Sequence, residues 1–268
     1  HGSRMTPPDA RPFDPVEATV SEIRGAYEAG ATSAEAVTEA YLERIEAHDD
    51  ALNAILTVNP DAGDRASELD AAFDRDGFVG PLHGIPIVLK DNQDTADMPT
   101  TAGSTALAES RPPRDAFVVA RLRDAGAVVL GKANLQELSF GVDTVSSLGG
   151  ATRNAYALDR RPAGSSGGTA AAVAASLCVV GTGTDTCSSV RSPPAFNNAV
   201  GVRPTMGLDC RTGIVPLSDT QDTAGPIART VEDAARTLEA MAGYDPADPL
   251  TARGDRRERP IGRTASRG

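Results

Sequence analysis

The chain has 268 residues, a formal net charge of −11, and 40% hydrophobic but only 4% aromatic residues. That length fits one large α/β domain or two smaller ones with a core of Ala, Val, Leu and Ile, and the acidic balance argues against nucleic acid or an anionic membrane as the main partner. No stretch approaches the roughly 18 apolar residues of a membrane span, no signal-like segment is read, and Cys178, Cys187 and Cys210 lack the paired spacing of a zinc site. Three unpaired thiols fit a reducing, cytoplasmic setting with no metal.

Residues 1–15 read as a vector remnant ahead of Met5 followed by a Pro-rich, extended lead-in. Residues 16–29 carry Val16, Val20, Ile23 and Tyr27 at helical spacing. Thr32 with Glu35 forms a capping-box pattern, and Val37, Tyr41 and Ile45 then recur on one face. A third helix is predicted over 65–73. Residues 85–89, Ile-Pro-Ile-Val-Leu, read as a buried strand ending at Lys90. A helix over 116–125 precedes a strand over 127–130 closed by Gly131. An Ala-rich helix over 169–177 leads into a strand over 178–180, another strand is predicted over 200–204, and a capped helix over 230–242. Helices alternating with short buried strands indicate an α/β layered domain over residues 16–244. From 245 to 268 Pro, Gly, Asp and Arg dominate without periodicity, which predicts a disordered tail.

Of 26 basic residues only Lys90 and Lys132 are lysine. Arginine stays protonated, whereas a buried lysine can lose its charge and act as a base. The scarcity therefore gives Lys90 either a chemical role or the status of a chance lysine in an Arg-biased composition. The bias itself suits a high-salt setting or a GC-rich genome equally well. Two serines sit in segments rich in small residues: Ser165 in Gly164-Ser165-Ser166-Gly167-Gly168-Thr169, and Ser189 in Gly183-Thr184-Asp185-Thr186-Cys187-Ser188-Ser189-Val190-Arg191. As a phosphate loop the first segment fails, because no Lys follows Gly168; a flexible linker does not fit the helical pattern that follows. As an active-site loop it works, its glycines allowing close approach of backbone to substrate. The second segment offers successive backbone N–H groups, which can stabilise the oxyanion of an attacked carbonyl, or is simply a polar connection. Asp185 and Arg191 are spaced to pair and pin it. With no His near either serine, Lys90 is the available base, and a Ser–Ser–Lys relay reads as acyl transfer, most naturally amide hydrolysis.

Together these residues resemble the amidase signature family, over segments 32–45, 84–92, 131–137, 164–172, 183–191, 201–205 and 222–233. The resemblance implies a mixed central sheet flanked by helices, with no metal and no organic cofactor. It implies that Ser189 is the nucleophile, that Ser165 bridges from a cis peptide after Gly164, and that Lys90 is the base. Backbone N–H groups of Thr186, Cys187, Ser188 and Ser189 would hold the oxyanion.

Two departures bear on activity. Cys187-Ser188 stand where relatives carry glycine, so a positive φ at either would cost on the order of 1–2 kcal/mol, and Asn197-Asn198 replace a Cys-Gly-like step. The chain is also short for such a domain, with an Arg-rich end unlike any family segment. The leading expectation is an amidase acting on a small or medium carboxamide through an acyl-serine. The alternatives are an impaired or truncated amidase-like scaffold, or the amidase subunit of a tRNA-dependent amidotransferase. Self-association or a second subunit is expected at the face beyond the strand at 201–205.

Overall fold

The computed structural model describes residues 13–253. Helix α1 (Val20–Glu28) starts later than periodicity suggests because Thr19 caps it: Thr19 Oγ1 accepts the Glu22 N–H and Glu22 reaches back to the Thr19 N–H. Val16 is left exposed, while Val20, Ile23 and Tyr27 are buried on the predicted face. Helix α2 (Ala34–Leu52) is capped by Ser33, whose Oγ accepts the Ala36 N–H, so the Thr32–Glu35 box is corrected by one residue. The Glu35 N–H is taken instead by Asp70 from α3 (Ala62–Asp76), which lies beyond strand β1 (Ile55–Val58).

Strand β2 (Pro86–Lys90) is buried along its whole length, as its unbroken apolar run foretells. After α4 (Phe117–Asp124), β3 (Val128–Ala133) runs through Gly131 rather than ending there. The reason is β1, which pairs antiparallel with β3 and lays the Thr57 carbonyl where a Cβ at 131 would sit. A small hairpin, β4 (Val145–Ser146) with β5 (Gly150–Ala151), precedes α5 (Gly167–Ala174). The strand expected over 178–180 lies further on, as β6 (Val180–Asp185), so the first three residues of the 183–191 segment are sheet. Then follow α6 (Ser192–Phe196), β7 (Val200–Gly201), β8 (Thr223–Ala228) and α7 (Val231–Met241), capped by Thr230.

The six-stranded sheet has the order β1-β3-β2-β6-β8-β7, with β3, β2 and β6 parallel and the outer pairings antiparallel. It is the mixed sheet with flanking helices that the family resemblance implies. Its centre, β2 beside β6, delivers the ends of both strands to the same edge, and the serine-bearing loops gather there. Helix α5 packs close to β6 because Gly181 and Gly183 lack side chains: a Cβ at 181 would lie 2.5 Å from Thr169 Cγ2. Residues 245–253, expected within a disordered tail, form ordered structure ending in a 3-10 turn (Pro249–Arg253). Asp248 fixes them by pairing with Arg211 at 2.9 Å, and Thr251 is buried. The rest of the tail lies outside the described residues, as do residues 1–12. Among the described residues, no helix is long and apolar enough to cross a membrane.

Candidate active site

Lys90 is the last residue of β2 and is fully buried. Its Nζ donates to Ser165 Oγ at 2.7 Å and to Thr184 Oγ1 at 2.8 Å. Thr184 lies on β6, one strand across, and also accepts from Asn92 Nδ2 at 3.0 Å. Burial pulls Lys90 down to about 7, although Asp185 and Asp222 act to raise it. A lysine near that value is neutral in part at neutral pH, and in that form its nitrogen can accept a proton from the hydroxyl to which the ammonium donates.

Both lysines of the chain are buried, but Lys132 on β3 is built differently. Its Nζ pairs with Asp91 at 3.0 Å and donates to the Pro99 carbonyl and Thr100 Oγ1. That ion pair neutralises the carboxylate next to Lys90 and ties the turn after β2 to β3.

Ser165 is buried, and the Gly164–Ser165 peptide is cis. A Cβ at Gly164 would lie 2.7 Å from the Val142 carbonyl carbon, so only glycine permits this approach. Thr144 Oγ1 accepts the Gly167 N–H and donates to the Ala163 carbonyl, while the Ser165 carbonyl accepts the Gln136 N–H. Ser165 is thus held from both sides.

Ser189 is buried at the end of the loop that leaves β6. Among the described residues its hydroxyl has no hydrogen-bond partner, so the structure joins Lys90 to Ser165 but records no direct Ser165–Ser189 bond. None of the N–H groups of Thr186, Cys187, Ser188 and Ser189 donates to a protein acceptor among the described residues, whereas the next, Val190, donates to Asp185 Oδ2 at 3.0 Å. Four successive free donors beside a serine suit a developing oxyanion. Neither Cys187 nor Ser188 has a positive φ, so the strain expected of side chains there does not arise. Asn198 does have one, at 53°, in the region asparagine tolerates best after glycine.

Asp185 anchors this loop. Arg191 meets it through two bonds of 3.1 Å and Arg203 through one of 2.6 Å. Burial would raise the Asp185 carboxyl, but bonds from Arg191, Val190 and Arg203 outweigh it and hold it below the usual range. Sequence reading found Asp185 and Arg191 by their spacing. It missed Thr184, Asn92 and Arg203, which meet the site across strands. The nearest sequence signal was Thr184's place two residues after Thr182, pointing to the same face of β6.

A cavity of about 250 Å³ opens beside Thr184 and Thr186. Asn92 and Ser139 line one wall, and residues from Arg211 to Asp222 with 247–249 line the other. Lys90, Ser165 and Ser189 are not among its lining residues; Thr184 and Thr186 connect it to them.

A buried amine held against one serine, with a second serine in a loop of free N–H donors, is an arrangement that suits acyl transfer. Residues 36–261 match the model of the Amidase family. The chain is 47% identical over 236 residues to the A subunit of glutamyl-tRNA(Gln) amidotransferase from Acidothermus cellulolyticus, covering 88% of this chain and 47% of that protein. Native peptide amidase of Stenotrophomonas maltophilia superimposes with a TM-score of 0.87 at 46% identity, over 91% of this chain and 51% of that one. The corresponding A subunit from Thermotoga maritima gives 0.78 at 36% identity, over 89% and 50%. The chain belongs to the amidase family, and it spans about half the length of the relatives it matches.

Proposed function

We propose that the chain carries the acyl-transfer centre of an amidase that hydrolyses the C–N bond of a small or medium carboxamide through an acyl-serine. The observation that carries this reading is the 2.7 Å bond from the buried Lys90 amine to Ser165. In its neutral form Lys90 takes a proton from Ser165, which takes one from Ser189 as Ser189 attacks the amide carbonyl. The N–H groups of residues 186–189 receive the oxyanion. The proton returns through the same relay to the leaving nitrogen, and water then attacks the acyl-Ser189 ester by the reverse path.

Similarity to the A subunit of glutamyl-tRNA(Gln) amidotransferase favours a second reading, in which the same centre releases ammonia within a complex of several different chains. A second subunit, or another copy of this chain, is proposed at the β7 edge of the sheet. A panel of carboxamides and esters, assayed with wild type beside Ser189→Ala, tests the function. Turnover that vanishes in the variant is expected; equal turnover in both would overturn the proposal.

A further inference from the structure

The wall of the cavity and the loop of free N–H donors are tied together by one carboxylate. Asp222 Oδ1 accepts Thr186 Oγ1 at 2.5 Å. Its Oδ2 accepts the N–H groups of Leu217 and Ser218 at 2.7 and 2.8 Å. Thr186 carries the first of the four free donors, and Leu217 lines the cavity beside Asp222 itself. Arg203 runs a parallel tie, from the Asp185 and Thr186 carbonyls to the Gln221 carbonyl. Asp185 with Arg191 pins the far side of the loop; the cavity side depends on Asp222.

We propose that Asp222 is a positioning residue for the acyl-transfer centre, holding the donor loop at Thr186 against the cavity wall through its bonds to Thr186 Oγ1 and to the Leu217 and Ser218 N–H groups. The inference rests on the catalytic reading of Lys90, Ser165 and Ser189 and adds to it a residue that sets both geometry and proton affinity. Donor groups stabilise an oxyanion only when held within a fraction of an ångström, and a hydrogen bond to a carboxylate holds more tightly than a neutral one. The charges acting on Lys90 are Asp185, at the end of β6, and Asp222, which precedes β8; both favour its protonated form. Asp91, adjacent in the chain, is paired with Lys132 of β3. Asp185 is in turn engaged by Arg191 and Arg203, whereas Asp222 is bonded by hydroxyl and amide donors and faces Arg211, itself paired with Asp248, across the cavity. A carboxylate that merely closed the turn at 217–222 would leave the titration of Lys90 untouched when replaced by asparagine.

The two-lysine composition makes that titration directly visible. With ¹³C at the lysine ε carbons the protein shows two lysine environments, and Lys90→Met assigns them. In Asp222→Asn the Lys90 transition is expected to move to lower pH. In Thr186→Val, which removes the hydroxyl and keeps the charge, it is expected to stay in place. With either variant kcat on a carboxamide is expected to fall at least about tenfold, the size of effect that follows loss of a hydrogen bond to a charged group. If circular dichroism shows Asp222→Asn unfolded, Asp222→Ser, which keeps an acceptor for the loop N–H groups, carries the same readout. A folded Asp222 variant with an unmoved Lys90 transition overturns the proposal. Because the titration is read without turnover, it decides this assignment even if wild type proves inactive, a result that would instead sink the amidase reading.

Discussion

Replacing Lys90 with methionine should abolish hydrolysis and make the protein more stable. The amine is fully buried and sits at about 7, against 10.5 for an ordinary lysine. At ~1.36 kcal/mol per unit, holding it neutral at pH 7 costs folding roughly 5 kcal/mol. The sign follows from proton counting. Between pH 7 and 10.5 the unfolded chain keeps a proton that the folded chain has lost, so wild-type stability climbs with pH across that window and falls away as pH drops toward 7. Methionine removes the cost. It leaves Ser165 Oγ without its amine partner, a loss of about 1–3 kcal/mol, while Thr184 Oγ1 keeps its bond from Asn92. The net gain at pH 7 is about 2–4 kcal/mol, and at ~2–4 °C per kcal/mol the melting temperature rises by several degrees. Thermal melts followed by circular dichroism from pH 7 to 10 check this, beside a hydrolysis assay in which the rate falls at least about 10²-fold. The advantage of Lys90→Met should shrink as pH rises. A variant that melts below wild type at pH 7, or an advantage independent of pH, would refute the assignment of Lys90 as a desolvated base.

Asp209 gives the opposite slope: it is buried with both carboxyl oxygens unpartnered among the described residues, and burial pushes it up to about 8. Its folded value exceeds its unfolded one, so its contribution to stability is complete below about pH 4 and is lost as pH rises through 8; Asp209→Asn should gain on wild type across that range, and a constant difference between the two melting curves would contradict this. Changing Cys187 and Ser188 together to glycine should leave kcat equal or lower, since neither position has a positive φ to relieve and glycine loosens the loop; a clear rise in kcat would show that the side chains obstruct. Sedimentation over a concentration series should show self-association, and a monomer at every concentration would rule out another copy of this chain at the β7 edge.

The parts of the fold legible in the sequence are those whose periodicity reflects burial. Strand β2 announces itself because both its faces are covered, so it is apolar without a break, and α7 because Thr230 caps a regular inward stripe. Strand β8 was missed, since Gly225-Pro226 reads as a breaker although both are fully embedded in the sheet. Strand β1 was missed because four residues between two helices carry little signal of their own. In the site, Lys90, Ser165 and Ser189 stood out through rarity and glycine context, and Asp185 with Arg191 through local spacing. Thr184 and Arg203 were invisible because strand pairing, not proximity in the chain, brings them to the site: β6 beside β2 sets Thr184 against Lys90, and β7 joined to β6 through β8 brings Arg203 to Asp185. The order of residues 245–253 was likewise unreadable, as it depends on Arg211 reaching Asp248 across 37 positions.

The central claim, that Ser189 is the nucleophile activated through Ser165 by Lys90, is tested most directly by a serine-directed fluorophosphonate followed by peptide mass spectrometry. The account predicts a single adduct on Ser189, formed faster as pH rises through about 7, where the Lys90 amine loses its proton, and greatly slowed in Lys90→Met. Labelling of Ser165, or an unchanged rate on Ser189 in Lys90→Met, would contradict it, and an adduct on Cys187 would pass the nucleophile's role to the exposed thiol two residues before it.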